Sequence, residues 1–537
     1  MEAAEPNSNP MGAPTGVVIR SGDRSVVLHW QCDARADLTG YCVYRAQAED
    51  GRFAKVTPQP VPLRGFADLN LTNGRIYLYR VRAVDSEQQE SPDSESVSAR
   101  PMGFANDEDF LSYLQQTAFD YFWYEANPAN GLIPDRSRTN SYCSIAAVGF
   151  GLTAIGIGID HGWIRREQGR ARVLTTLKTF WEKPQGTNDD GMIGYKGWFY
   201  HFLDMNTGVR AWKSELSSID TGLLLAGMIY ARGYFNGAHA DEAAIREIAN
   251  RIYKRVDWNW MKNGTNSLTL PSGTLSRPTG EGRGEGNMLS MGWYPESGFI
   301  KSRWIGYNEA MLLYLLGLGA PADALAPACW RQWTSGYQWK TSHGQSFVHF
   351  PPLFGHQYSH CWIDFRGIAD DYMRDKGLDY FENSRRATLA QRAYCIANPG
   401  KFQGYGELAW GLTACDGPSF VKFQAYSARG APPPENDDGT IAPTAVGASI
   451  PFAPEICIPT LRHFYDRFRT NIWTSYGFCD AFNLTANWWD PEVLGIDQGP
   501  MVIMIENYRT GGVWKTFMKA PEIQRGLRNA GFRNIAP

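Results

Sequence analysis

Two patterns of hydrophobic spacing divide the chain. Over residues 13–101 the apolar positions form short runs rich in β-branched and aromatic side chains. These are Val17-Val18-Ile19-Arg20, Ser25-Val26-Val27-Leu28-His29-Trp30, Gly40-Tyr41-Cys42-Val43-Tyr44-Arg45 and Tyr77-Leu78-Tyr79-Arg80-Val81-Arg82-Ala83. The last alternates with a period of two, as a strand with one buried face does. Gly, Asp and Pro turns separate the runs, and a stretch of this length and grammar predicts a small all-β sandwich. Pro101-Met102-Gly103 reads as a boundary. From residue 104 to 537 apolar residues recur three and four apart, which predicts helices over 107–125, 144–159, 171–182, 218–234, 243–258, 306–317, 358–374, 380–397, 454–468 and 499–510.

Long Gly-, Pro- and Trp-rich connections separate some of these helices, notably Lys262–Ser302 and Gly400–Ile450. Long structured loops inside a compact domain usually carry function. Short and long links in alternation predict paired helices arranged in a ring. The expected fold is thus mainly α, an (α/α)6 toroid behind a small sandwich, with loops on one face forming a cleft. No self-similarity at a period of about 30–45 residues supports a solenoid instead.

Composition narrows the function. The chain of 537 residues is 43% hydrophobic and 20% charged, as in a globular protein. A net charge of −3 gives no electrostatic case for nucleic acid or an anionic membrane surface. No apolar run reaches the ~18 residues of a membrane span. Nineteen Trp, 26 Tyr and 27 Phe make an aromatic share of 13%, which raises the prior for sugar rings as ligands. The nine cysteines contain no Cys-x-x-Cys, so a zinc ribbon and a thioredoxin-like motif are disfavoured; buried thiols are expected, with a disulfide or two left open. Met1–Asn7 lacks the basic and apolar regions of a signal peptide, and an export signal removed from this start would place the protein in the periplasm or outside the cell.

Glycoside hydrolysis needs two carboxyl groups, one to protonate the leaving oxygen and one to act as nucleophile or base. Candidates are acids beside aromatics at loop–helix junctions. Trp212-Lys213-Ser214-Glu215-Leu216-Ser217-Ser218-Ile219-Asp220 leads this set. Ser217-x-x-Asp220 matches a capping box, so Asp220 has a structural role available while Glu215 stays free for chemistry. In Gly292-Trp293-Tyr294-Pro295-Glu296-Ser297, Glu296 stands among rings. Burial there would raise its pKa, as a general acid requires. Glu309, before an apolar run, reads as a brace for a helix end. His356, Tyr358, His360, Asp364 and Arg366 fall on one predicted helix, with His356, His360 and Asp364 on one stripe. They lack His-Glu-x-x-His, so sugar-hydroxyl binding or an Asp364–Arg366 pair is expected rather than a metal. Tyr405, Glu407, Trp410 and Asp416 lie in a Gly-rich frame, and Asp497 precedes Gly499-Pro500, where an N-cap is the plainer role.

Two resemblances add to this reading. Trp30, Tyr41, Tyr44 and the Tyr77-x-Tyr79-x-Val81 strand resemble a fibronectin type III module, which is usually a spacer. Ser214–Thr221, Tyr307-Asn308-Glu309-Ala310-Met311, His356–His360 with Trp362–Arg366, Trp410–Ala414 with Asp416-Gly417-Pro418, and Gly495–Pro500 running into Ile505–Thr510 resemble, in that order, the glycoamylase-like domain of glycoside hydrolase family 144. The resemblance implies an (α/α)6 barrel acting on β-1,2-glucan, either endo or by releasing sophorose, with no cofactor. It favours Glu215 and Glu296 as the reacting pair, supported by Asp220, Asp364 and Asp497. Lys401–Ala442, with Pro432-Pro433-Pro434, would make the enzyme exo-acting if it blocked one end of the cleft.

The expected partner is a β-glucan oligo- or polysaccharide bound by a monomer, without nucleic acid or membrane. A transglycosylase or exo-hydrolase on another glucan, including an α-linked one, and a non-catalytic glycan-binding protein are the alternatives.

Overall fold

The computed structural model describes residues 11–33, 37–47, 51–262, 285–418 and 426–535. Met1–Asn7, most of the connection after Lys262 and part of the Lys401–Ala442 stretch lie outside the described residues.

Two antiparallel sheets form the N-terminal part. Strands β1 (Thr15–Gly22), β2 (Ser25–Gln31), β3 (Leu38–Gln47), β4 (Ala54–Lys55), β5 (Gly65–Leu69), β6 (Tyr77–Asp85) and β7 (Val97–Ala99) assemble in the orders β1-β2-β5 and β4-β3-β6-β7. Alternation along β6 turns Tyr77, Tyr79, Val81 and Ala83 inward onto Trp30 and Tyr41. Strand β2 differs, because residues Ser25 to Trp30 are all buried. Val26, Leu28 and Trp30 fill the space between the sheets. Ser25, Val27 and His29, on the other face, meet the Asp107–Tyr124 helix. Ser25 Oγ lies 3.0 Å from Tyr113 Oη and 2.8 Å from Tyr465 Oη, and Val27 packs with Phe110 and Leu111.

The larger part is rich in helices with small two- and three-stranded sheets between them. Ile145–Asp160 and Met311–Gly319 are buried almost throughout, so they are inner elements. Ile145–Asp160 packs on Ser218–Tyr234, which packs on Met311–Gly319. The contact continues through the 3-10 turn Tyr358–Cys361 to Gly495–Arg509, which returns to Ile145–Asp160. Pro443–Gly447 joins the circuit beside Gly495–Arg509 and accepts a hydrogen bond from Gln357 Nε2 to Ala445 O of 2.8 Å. Glycine permits a close crossing of the first two helices: a Cβ at Gly227 would lie 2.1 Å from Gly149 O. Helices Ala240–Lys254 and Pro454–Ile472 keep an exposed face and pack outside this circuit. Eight of the nine cysteines are buried as thiols.

Several predicted elements differ in extent, and one differs in kind. The helix expected over 358–374 is a turn, a short strand Ile368–Ala369 and a short helix Asp371–Asp375. Asp364 Oδ1 accepts from Arg366 N at 3.1 Å, Asp370 Oδ1 accepts from Met373 N at 2.9 Å, and Gly367 takes φ +72°. These local bonds outcompete a continuous helix. The helix expected from 306 starts at Met311, and the one expected from 499 starts at Gly495.

Candidate active site

The starts of the inner helices gather at one end of the circuit, and acids stand at them. Ser217 caps the Ser218–Tyr234 helix, and Asp220 occupies its first turn. Ser217 Oγ donates to Asp220 Oδ2 at 2.5 Å and also accepts from Asp220 N at 3.3 Å. Glu215 precedes the cap, on a strand edge where Leu216 pairs with Trp293. His201 sits between the two acids, with Nδ1 2.9 Å from Glu215 Oε1 and Nε2 3.6 Å from Asp220 Oδ2. Burial works against charging this imidazole, but Asp220 and Glu215 outweigh it and lift its pKa to about 9. His201 is therefore an imidazolium at neutral pH. Burial opposes ionisation of Glu215 too, yet the His201 contact leaves its carboxyl below the usual range.

Glu309 stands two residues before the all-buried Met311–Gly319 helix. Its Oε2 is buried with no hydrogen-bond partner among the described residues. Burial, with the Asp220 charge adding, pushes its pKa to about 7. A carboxyl in that state is protonated in mild acid and can donate.

A second group of acids surrounds the start of Gly495–Arg509. Asp497 lies in the first turn of this helix rather than at its N-cap, which is Leu494 without a side-chain bond. The expected capping role for Asp497 therefore fails, and its Oδ2 is buried without a partner among the described residues. Gly495 N bonds to Asp135 O at 2.8 Å, and this tie brings the Asp135-Arg136 segment alongside. Arg136 pairs with Asp416 at 2.7 Å and with Glu492 at 2.8 Å. Asp480 accepts from Asp416 N at 2.6 Å, and its carboxyl stands beside that of Asp497. Burial raises the pKa of Asp480, Asp490 and Asp497, and their mutual repulsion raises Asp480 furthest. Asp497 itself rises to about 7, less than its neighbours because Arg136 and Asp480 favour its charged form.

Oxygens of Asp416, Asp480 and Asp490 lie within 4.8 Å of one another, a spacing that suits a cation. Asp416 pairs with Arg136, and burial raises Asp480 and lifts Asp490 to about 8, so protons on these two balance the cluster near neutral pH.

The remaining predicted residues sort by position. Trp212 is 57% exposed and braced by Phe202 and Tyr142, an open ring beside Glu215. Trp293 packs on Tyr195 and Trp260, and Tyr294 lies near Glu215. Tyr358 is buried near Asp497. Glu296 overturns the expectation of a raised pKa. It is largely exposed, and the buried Arg210 guanidinium, 2.6 Å away, holds its carboxyl below the usual range.

His356 and His360 leave the site altogether. Both rings are buried in the core, where burial pushes their pKa values down to about 3. The stripe with Asp364 does not form, because the helix it needs is absent. Asp364 and Arg366 pair with each other at 2.7 Å and line a cleft of about 610 Å³ with Tyr508, Arg509 and Trp514. That cleft lies at the far end of Gly495–Arg509, roughly 18 Å from Asp497 by helical rise. Trp410 is fully buried and donates to Thr460, Tyr405 is tied to Asp437, and Glu407 faces solvent. None of the three presents a surface to sugar.

Asp135, Arg136, His201, Asp480 and Asp490 were not legible in the sequence, and Glu309 read only as a brace. Its signal was the uniformly apolar run that follows. A helix buried on every side begins inside the molecule, so an acid near its start is poorly hydrated, as the buried Oε2 of the half-buried Glu309 shows.

Two buried carboxyls with raised pKa values at the same end of a helical circuit, with an open indole beside Glu215, suit the cleavage of a glycosidic bond. A family model described as "Putative glucoamylase" matches residues 301–521. The exo β-1,2-glucooligosaccharide sophorohydrolase (non-reducing end) of Parabacteroides distasonis is 32% identical over 98% of this chain and 72% of its own. The crystal structure of β-1,2-glucanase from Parabacteroides distasonis superposes with a TM-score of 0.84 at 29% identity, covering 98% of this chain and 74% of that one. The endo-β-1,2-glucanase from Chitinophaga pinensis, solved with sophorotriose and glucose, gives a TM-score of 0.70 at 29% identity over 80% of this chain and 99% of its own. The chain belongs to the β-1,2-glucan hydrolases of the glycoside hydrolase family 144 type, with a glycoamylase-like domain.

Proposed function

We propose that the protein is an exo-acting β-1,2-glucan hydrolase that releases sophorose, with Glu309 as general acid and Asp497 as the opposing carboxylate. The contrast between these two groups carries the reading. Glu309, with a pKa of about 7, holds a proton for the departing glycosidic oxygen. Asp497 is raised to about 7 as well, but Arg136 and Asp480 beside it favour its charged form, in which it takes up the proton of the attacking water or attacks directly. The His201 imidazolium anchors Glu215 and Asp220, which are placed to bind sugar hydroxyls, and Trp212 offers a face for a ring.

Exo action is supported by coverage. The exo relative matches this chain almost end to end, whereas the endo relative matches 80% of it. The Lys401–Ala442 stretch supports it as well, because Ser427–Ala428 pairs with Ala414–Cys415 and keeps that stretch beside Asp416. We read the circuit of helices as an (α/α)6 toroid and the two sheets as a fibronectin type III-like module.

Time-resolved products from linear β-1,2-glucan test the proposal. Sophorose should be the first and dominant product. A ladder of longer oligosaccharides at early times would make the enzyme endo-acting, and no cleavage of this polymer would refute the substrate.

A further inference from the structure

The residues that face the helical part from the N-terminal sheets continue, through one hairpin, to the acids of the site. We propose that this two-sheet module positions the catalytic acids: His29 and Gly65 hold the Trp473–Phe478 hairpin, and the hairpin holds Asp480 against Asp497. The inference rests on the assignment of Asp497 as a reacting group.

His29 is buried between two rings, stacked on Tyr124 at 4.4 Å and on Tyr476 at 5.2 Å. Its Nε2 lies 3.2 Å from Asp120, which also pairs with Arg20. Tyr476 stands at the turn between Trp473–Thr474 and Gly477–Phe478, and its hydroxyl reaches Glu125. The backbone of Gly65 fills the gap beside this turn, since a Cβ there would meet His29 Nδ1 at 2.7 Å and Ser475 Oγ at 2.8 Å. The hairpin is thus gripped from the module side by an aromatic stack and a close backbone approach.

On the other side it leads into the site by two routes. Phe478 O accepts from Gln498 Nε2 at 2.8 Å, and Gln498 adjoins Asp497. Two residues beyond Phe478, Asp480 N donates to Glu492 O at 2.9 Å while its carboxyl accepts from Asp416 N at 2.6 Å and stands beside that of Asp497. Asp480 is faced by Asp416, Asp490, Cys415, Cys479 and Tyr426, and Asp497 by Asp135, Arg136, Asp416, Tyr358 and Tyr426. A shift of the hairpin changes the Asp480–Asp497 distance directly. Positional errors near 1 Å in such a pair cost up to roughly 100-fold in rate.

The test uses the full chain and follows kcat, KM and the pH profile of kcat on a β-1,2-glucooligosaccharide. Gly65→Ala, His29→Ala and Tyr476→Ala should each lower kcat by about 10- to 100-fold with little change in KM, and move the limb of the profile that Asp497 sets. His29→Phe, which keeps the stack, should restore both. Tyr79→Phe, which removes a hydrogen bond to Asp68 of 2.9 Å inside the module, should leave them unchanged. Should the Ala variants of His29 and Tyr476 fail to fold, Gly65→Ala, which adds one methyl, decides alone. Unaltered kcat and profile in folded interface variants, or the same shift in Tyr79→Phe, would overturn the inference. Asp497→Asn separates the two readings. If it stays active, the assignment of Asp497 fails. If it is inactive while the interface variants behave as wild type, only the positioning role fails.

Discussion

Removing the charge from Glu309 should stabilise the fold in alkali while abolishing most activity. The pKa of this carboxyl rises from 4.5 to about 7 because burial strips water from the ionised form, and a single backbone donor does not make up for it. A folded-state pKa above the unfolded one favours folding fully below pH 4.5, and the advantage is lost as pH rises through about 7. The rise of some 2.5 units corresponds to about 3 kcal/mol of stability lost by pH 8.5, as an upper bound. Glu309→Gln keeps the shape and cannot ionise. Denaturant unfolding at pH 4 and pH 8.5 should therefore give equal stabilities at the low pH and a gain of ~1–3 kcal/mol for the variant at the high pH. The same variant loses the proton donor, so kcat should fall by about 10²- to 10⁴-fold. Parallel stability–pH curves for the two proteins would refute the burial argument, and near-normal kcat would refute the assignment as general acid.

Glu296→Gln should change kcat by less than about tenfold, because Arg210 holds this exposed carboxyl ionised and it has no proton to give; initial rates check this, and a loss of several orders would return Glu296 to the mechanism. Trp212→Ala should raise KM several-fold and alter stability by less than about 0.5 kcal/mol, since the ring is 57% exposed; titration with sophorose-series oligosaccharides together with thermal melts measures both. His356 and His360, each with a pKa lowered to about 3, favour folding only while neutral. The unfolded chain takes up their protons first, so stability should fall as pH drops below about 6.5, and His356→Gln should shallow that fall in acid unfolding curves.

What the chain reveals without its structure depends on how far apart the cooperating residues lie. Period-two spacing in Tyr77-x-Tyr79-x-Val81 and the N-cap at Ser217 are local, and both form as their spacing predicts, although the Asp220 carboxyl takes the Ser217 hydroxyl in place of the backbone N–H that a full capping box uses. Helix prediction over 358–374 fails for an equally local reason, because Asp364 and Asp370 offer the backbone shorter bonds than a helix does. The site is harder to read, since protonation is a property of surroundings that the sequence brings together from 135, 201, 309, 416, 480 and 497. Glu296 and Glu309 look alike as acids among aromatic and apolar neighbours. They separate only because Arg210 reaches the first, whereas no cation reaches the buried oxygen of the second. The module illustrates the same limit. Strand β2 reads only as a short β-branched run, and nothing local shows that Ser25, Val27 and His29 meet the Asp107–Tyr124 helix. A strand covered on both faces has no free side on which to slide, and that is why this module is placed to set the geometry of a distant hairpin.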